Sequence, residues 1–295
     1  TDFSSIDKIE SRIAIKHKGI RIKKRISKED YFSKIERIQH HIHRGDIYEM
    51  NFCMEYYAED AYIDPLAVYQ KLNRITGSPF ATFLKVRDKY LLSGSPERFV
   101  KKAGNKVISQ PIKGTARRSA IQDEDDLIRD KLLTDPKERS ENIMIVDLVR
   151  NDLSKTAVKG SVKVEELCGV YTFKQVHQLV STVVSEVSPE TNGVDIIQSL
   201  FPMGSMTGAP KISAMEIIEE LEETKRGLYS GAVGYFTPDN DFDFNVVIRS
   251  ILYNTTERYI SFSVGGAITA LSKAENEYKE CQLKAAAMKM ALQNK

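Results

Sequence analysis

Apolar residues recur at helical spacing just after Ser27. Tyr31, Ile35, Ile38 and Ile42 fall on one stripe, which predicts a helix from about Lys28 to His43 with Ser27 as its cap. Shorter runs at Ile47–Tyr57, Phe80–Val86, Tyr90–Ser93, Arg98–Lys102 and Lys106–Ser109 read as strands. Asp135 and Pro136 open a second helix, the acid as cap and the proline at the first helical position, running to about Leu153. Phe173–Val187 reads as one long strand. Pro210 starts a helix over KISAMEIIEELEETKR, with Gly227 as the expected C-cap. Three strands are then expected, at Ser230–Phe236, Phe242–Tyr253 and Arg258–Val264. A last helix is entered through an S-x-x-E capping box of Ser272 and Glu275. Helices and strands mix without a regular βαβ alternation, so the fold class is α+β with antiparallel sheets.

Composition narrows the function. The chain has 295 residues, 41% hydrophobic and 28% charged, which is globular rather than disordered. Lys and Arg total 43 against 41 for Asp and Glu, so a binder that works by basic excess on nucleic acid is excluded. No apolar run reaches the length of a membrane span, and the first residues show no secretion leader. Cys53, Cys168 and Cys281 are far apart and odd in number, which fits a reducing cytoplasm better than a disulfide framework.

Several side chains sit in patterns that suit chemistry, each with a plainer alternative. Glu141 shares a helix face with Ile145 and Leu148, so it is either a paired or metal-bound carboxylate or a first-turn acid favouring the helix dipole. Glu277, Glu280 and Lys284 fall on one face of the last helix. Two carboxylates there suit a hard cation such as Mg²⁺, or else form solvated ion pairs. The loop from Gly204 to Lys211 precedes a helix N-terminus that could take an anion, yet it is not a phosphate P-loop. Gly265 and Gly266 allow a close backbone approach to a ligand, or mark a bulge. Lys113 lies between Pro111 and Gly114 as a positioned amine or a surface lysine. Glu97, after a proline turn, is a general-acid candidate if an apolar site raises its pKa, or an exposed turn acid. His177, in strand phase with Leu179, is a pocket residue or a satisfied core histidine. His40, His41 and His43 read as helix-end histidines, and no H-E-x-x-H, G-x-G-x-x-G or C-x-x-C motif occurs.

The motifs SGSPERF, QPIKGTARR, ENIMIVDLVRNDL, FPMGSMTGAPKISAMEIIEELE, RGLYSGAVGYF and SVGGAITALSKAENEYKE follow one another in this order. In this the chain resembles the chorismate-binding enzymes, which include anthranilate synthase component I, aminodeoxychorismate synthase component I, and isochorismate and salicylate synthases. The resemblance covers roughly residues 28–295, which it implies are the chorismate-binding catalytic domain; residues 1–27 would be an N-terminal remnant or edge segment. It implies antiparallel sheets forming a sandwich with helices outside.

The resemblance also implies roles. Lys113 stands where members making anthranilate or isochorismate usually have Ala, and where aminodeoxychorismate synthases have a lysine that attacks ring C2. Glu49 and Met50 stand where isochorismate and salicylate synthases carry a water-activating lysine. Glu97 matches the general acid for the C4 hydroxyl, and His177 a histidine near the leaving group. Glu141 and Glu280 match Mg²⁺ ligands, with Glu277 in support. Arg249 and Tyr229 match residues gripping the enolpyruvyl carboxylate; Gly265, Gly266 and Lys284 match the ring-carboxylate side. Thr207 matches a loop position of less defined role. The implied reaction is amination of chorismate to 4-amino-4-deoxychorismate for 4-aminobenzoate and folate synthesis. No cysteine lies in a glutaminase-type G-x-C-x-G elbow, so ammonia is expected from a separate glutamine amidotransferase subunit. An anthranilate synthase component I and a non-catalytic chorismate-binding subunit remain the alternatives. Family members usually have a longer N-terminal part with a tryptophan-sensing motif that is not found here, so the chain is either a short member or lacks that part.

Overall fold

The structure, a computed structural model, describes residues 19–173 and 176–293. Its elements in chain order are β1 (Lys23–Lys24), α1 (Lys28–Arg44), β2 (Glu49–Ala58), α2 (Pro65–Thr76), β3 (Phe80–Val86), β4 (Lys89–Ser95), β5 (Arg98–Ala103), β6 (Lys106–Gln110) and β7 (Ile112–Arg117). There follow α3 (Gln122–Thr134), α4 (Pro136–Ser154), β8 (Lys163–Thr172), β9 (Val176–Glu186), α5 (Gly193–Leu200), β10 (Gly208–Ala209) and α6 (Lys211–Leu221). The chain then forms β11 (Ala232–Phe236), β12 (Phe242–Val246), β13 (Ser250–Asn254), β14 (Tyr259–Ile268) and α7 (Ala274–Leu292).

The strands make two antiparallel sheets, as an α+β chain without βαβ alternation should. The first runs β1-β2-β14-β13-β4-β3, with β10 also paired to β2; the second runs β11-β12-β5-β6-β9-β7, with β8 on the other edge of β9. Each sheet buries one face against helices. Tyr31, Ile35 and Ile38 of α1, Leu72 of α2 and Tyr278, Cys281 and Met288 of α7 pack with Phe52, Tyr56 and Phe262 of the first sheet. Ile145 and Val149 of α4 and Ile196 of α5 pack with Val100, Val107 and Val183 of the second. Large apolar side chains at helical and strand periods thus find each other across layers, and burial of this kind is the main favourable term in folding.

Ser27 caps α1 by accepting the Asp30 amide, and Asp135 caps α4 by accepting from Lys137 and Glu138, as their positions predict. Four expectations change. The run 242–253 is not one strand: β12 ends at Val246, β13 begins at Ser250, and they belong to different sheets. The helix after Pro210 stops at Leu221, because Glu222 turns extended (ψ 136°) and spends its carboxylate elsewhere; Gly227 is not its cap. Ser272 does not cap α7, since its hydroxyl accepts the Thr269 amide instead. The strand read as 173–187 is observed over Val176–Glu186, and its partners β7 and β8, together with α2, α3 and α5, are not among the elements expected above. Lys23 and Lys24 pair with β2 at the edge of the first sheet; residues 1–18 lie outside the described residues. Among the described residues no helix is long and apolar enough to cross a membrane.

Candidate active site

A cavity lies between the two sheets. Asn51 and Ser263–Ala267 line it from the first, Ile112, Lys113, Thr115 and Gln178 from the second, and Lys284 from α7. The rest of the lining includes two places where the chain crosses from one sheet to the other. Pro96 and Glu97 join β4 to β5, and the stretch holding Arg249 joins β12 to β13. Arg249 takes φ 50°, a left-handed conformation uncommon for a residue with a Cβ, and its carbonyl accepts the Gly94 amide at 3.1 Å. Such a backbone persists only where its surroundings fix it, and the result here is a guanidinium delivered into the seam.

Glu97 is only 6% exposed, and Ser205 Oγ donates to its Oε1 at 2.9 Å. Burial raises its pKa to about 7; the Ser205 hydrogen bond and the charges of Lys113 and Arg249 oppose that rise without cancelling it. A buried carboxyl poised near neutrality is the pattern of a general acid. Lys113 is half-buried on β7, within electrostatic reach of Glu97, Glu141 and Glu280. Arg249 is lowered from its ordinary value by burial, with Glu97 pulling the other way. Tyr229 is buried, its hydroxyl accepts from Cys53 Sγ at 3.5 Å, and burial pushes its pKa well up, so it stays a donor.

Gly265 pairs with Cys53 in the first sheet, and a Cβ there would lie 2.5 Å from Cys53 Sγ and 2.6 Å from the Phe52 carbonyl. Only glycine lets β14 lie this close to β2. Gly266 faces the other way: a Cβ on it would sit 3.5 Å from Glu277, 3.7 Å from Glu280 and 3.9 Å from Lys284. Lys284 Nζ donates to the Gly265 carbonyl at 2.8 Å and pairs with Glu280 at 2.7 Å.

Lys113, Glu97, Arg249, Tyr229, Gly265, Gly266 and Lys284 therefore share one cavity. Thr207 and His177 do not. The Thr207 hydroxyl donates to the Met203 carbonyl at 3.1 Å, and its neighbours Ser205 and Met206 line the cavity instead. His177 is buried between Asp125, 3.0 Å from Nε2, and Thr172, 2.9 Å from Nδ1. It shares its strand face with Leu179, which packs on Leu132 of α3, so it faces the helices; Gln178, one residue on, faces the cavity. The sequence pattern left Asn51, Thr115, Gln178 and Ser205 unmarked. A two-residue strand period tells which residues share a face, but not which face looks inward.

The carboxylates expected to hold a metal gather beside two residues of the cavity wall without closing on one point. Glu277 and Glu280 lie next to Gly266, and Glu141 and Glu280 lie within electrostatic reach of Lys113. Among the described residues no three His, Cys, Asp or Glu side chains are close enough to form a ready ligand set. Glu141 lies 3.8 Å from Lys137, and Glu280 is held below the usual carboxylate range by Lys284, against its burial. Burial raises Glu138, Glu141 and Glu277, and each is raised further by neighbouring acids, Glu280 among them in every case. Mutually repelling oxygen donors from α4 and α7 suit a hard divalent cation, which would relieve that repulsion and displace the lysines.

The loop bearing Ser205 is held by a buried ion pair. Glu222 accepts from Arg226 at 2.6 Å and from the Cys53 amide at 2.9 Å, while Arg226 reaches the Met206 and Asn51 carbonyls at 2.6 and 2.9 Å. Glu222→Ala leaves that guanidinium buried without its counter-ion and should cost about 3–5 kcal/mol. A urea unfolding midpoint unchanged from wild type would contradict it.

Residues 10–290 match the profile of the family described as chorismate binding enzyme. The chain belongs to that family. Within the chorismate binding enzymes it is 38% identical over 266 residues to aminodeoxychorismate synthase component 1 of Bacillus subtilis, covering 90% of this chain and 56% of that protein. It is also 38% identical over 261 residues to an anthranilate synthase component 1 of Haloarcula marismortui, covering 87% of this chain and 48% of that one. The chain thus spans about half the length of these relatives. Its fold matches the crystal structure of anthranilate synthase component I from Streptococcus pneumoniae with a TM-score of 0.84 at 31% identity, over 92% of this chain and 60% of that one.

Proposed function

We propose that this chain catalyses the component I reaction of aminodeoxychorismate synthesis: chorismate and ammonia give 4-amino-4-deoxychorismate and water. The observation that carries this reading is that Lys113 and the near-neutral acid Glu97 face one cavity that also holds Arg249 and Lys284. Chorismate is a dicarboxylate. Arg249, with Tyr229 as a second donor, grips the enolpyruvyl carboxylate, and a guanidinium fork suits that group. Lys284 and the Gly265–Gly266 backbone meet the ring carboxylate. Lys113 Nζ attacks ring C2, the two conjugated ring double bonds shift, and the C4 hydroxyl departs as water with the proton of Glu97. Ammonia then bonds to C4, both ring double bonds return, and the C2–N bond breaks, so that the lysine, still carrying its extra proton, leaves as a neutral amine; the proton shed by the new C4 ammonium restores the Glu97 acid.

Glu141, Glu277 and Glu280 are the residues that would hold Mg²⁺, which when bound supplies a Lewis acid and a template for the ring carboxylate. Glu280→Gln should raise the magnesium concentration needed for half-maximal turnover by about 10-fold or more; an unaltered requirement would remove Glu280 from the metal site. Relatives named as component 1 support a partner that delivers ammonia.

The deciding experiment is a product assay with chorismate, magnesium and ammonium salt, with and without aminodeoxychorismate lyase. Appearance of 4-aminobenzoate only when the lyase is present supports the reading. Fluorescent 2-aminobenzoate would favour the anthranilate branch, to which the Haloarcula marismortui relative is assigned by name.

A further inference from the structure

Gln178 is 3% exposed and lines the cavity from β9. Its Nε2 donates to Thr115 Oγ1 at 3.4 Å, a long bond, and among the described residues its Oε1 has no hydrogen-bond partner. A buried amide oxygen without a donor is costly, so its presence in a cavity points to a ligand that brings one. The cavity's cations are not what it waits for: on the amination reading the carboxylates of the substrate claim Arg249 and Lys284, and ring C2 claims Lys113. Those carboxylates are themselves acceptors and offer Gln178 nothing. Two donors remain among the reactants: the C4 hydroxyl and the amine. The hydroxyl belongs to the wall of Glu97, where Ser205 and a second unpartnered amide oxygen, Asn51 Oδ1, lie together; Asn51 Nδ2 reaches the Ser205 carbonyl at 3.4 Å. Gln178 stands on the opposite sheet, paired with Thr115 in the strand that carries Lys113.

We propose that Gln178 Oε1 accepts a hydrogen bond from the incoming ammonia and orients its lone pair toward the ring. This rests on the amination reading above. A neutral amide suits this role because it gives an acceptor without the negative charge that would hold the nucleophile as unreactive ammonium. Gln178 is thus a positioning residue specific to the second substrate.

Steady-state kinetics on the whole chain, with chorismate and ammonium chloride varied separately, provide the test. Gln178→Met keeps the side-chain volume and removes the acceptor. Its KM for ammonia should rise about fivefold, the worth of one hydrogen bond, with the KM for chorismate within twofold of wild type, which also reports that the variant is folded. Gln178→Glu keeps the acceptor and adds charge, so its KM for ammonia should stay low while kcat falls. The assignment is overturned if Gln178→Met raises the chorismate KM instead, if neither KM moves, or if Gln178→Glu loses ammonia affinity as Gln178→Met does. A wild-type protein that turns over chorismate with no dependence on ammonium would overturn the amination reading itself, and this assignment with it. A wild type that aminates, with an unaffected Gln178→Met, overturns the assignment alone.

Discussion

Glu97→Gln should lower chorismate turnover by about 10²–10⁴-fold, the usual contribution of a positioned general acid. Gln keeps the shape of the side chain and can still accept from Ser205, so folding and substrate binding should change little. The loss should fall on kcat and on kcat/KM together, because the proton is needed only as the C4 hydroxyl departs. A variant within threefold of wild type would mean another group supplies that proton.

The pH profile sharpens this expectation. Burial raises Glu97 from 4.5 to about 7, so the acid form is lost as pH rises through 7. With free ammonia held constant, kcat/KM of the wild type should fall on that limb, and the limb should vanish in Glu97→Gln. The same shift acts on stability. The folded state holds this proton more tightly than the unfolded chain, so the contribution is full below pH 4.5 and is lost as pH rises to about 7. Glu97→Gln should flatten that part of the stability curve, which urea titrations at pH 5 and pH 8 would reveal.

Lys113→Ala is the second large effect. If the lysine forms the bond to C2, its removal should cut formation of the 4-amino product by about 10³-fold or more, the scale seen when a covalent nucleophile is lost. The regiochemistry should change as well. With C2 no longer occupied by the enzyme, ammonia can add there directly, so residual product should shift toward the 2-amino isomer. Chromatography and mass analysis of the products measure both. Unchanged yield of the 4-amino compound would leave Lys113 as a charge near Glu97 and nothing more. Retention of the rate with a switch of isomer would keep its steering role and remove its role in rate.

The sequence alone determined the parts of this protein whose causes are local. The cap and first turn of α1 and α4 were legible because Ser27, Asp135 and Pro136 act on amides two or three residues away. The α+β class followed from the order of periods, and the candidate residues Glu97, Lys113, Gly265 and Lys284 stood out within motifs. Tertiary structure decided the rest. Whether 242–253 is one strand or two depends on Arg249 crossing between sheets, which its own residue types do not announce. That Gln178 rather than His177 meets the cavity depends on which face of β9 the helices cover. The acidity of Glu97 depends on burial beneath residues distant in the chain. Orientation, desolvation and the meeting of two sheets are properties of contacts between remote segments; local propensity carries no record of them until the segments pack.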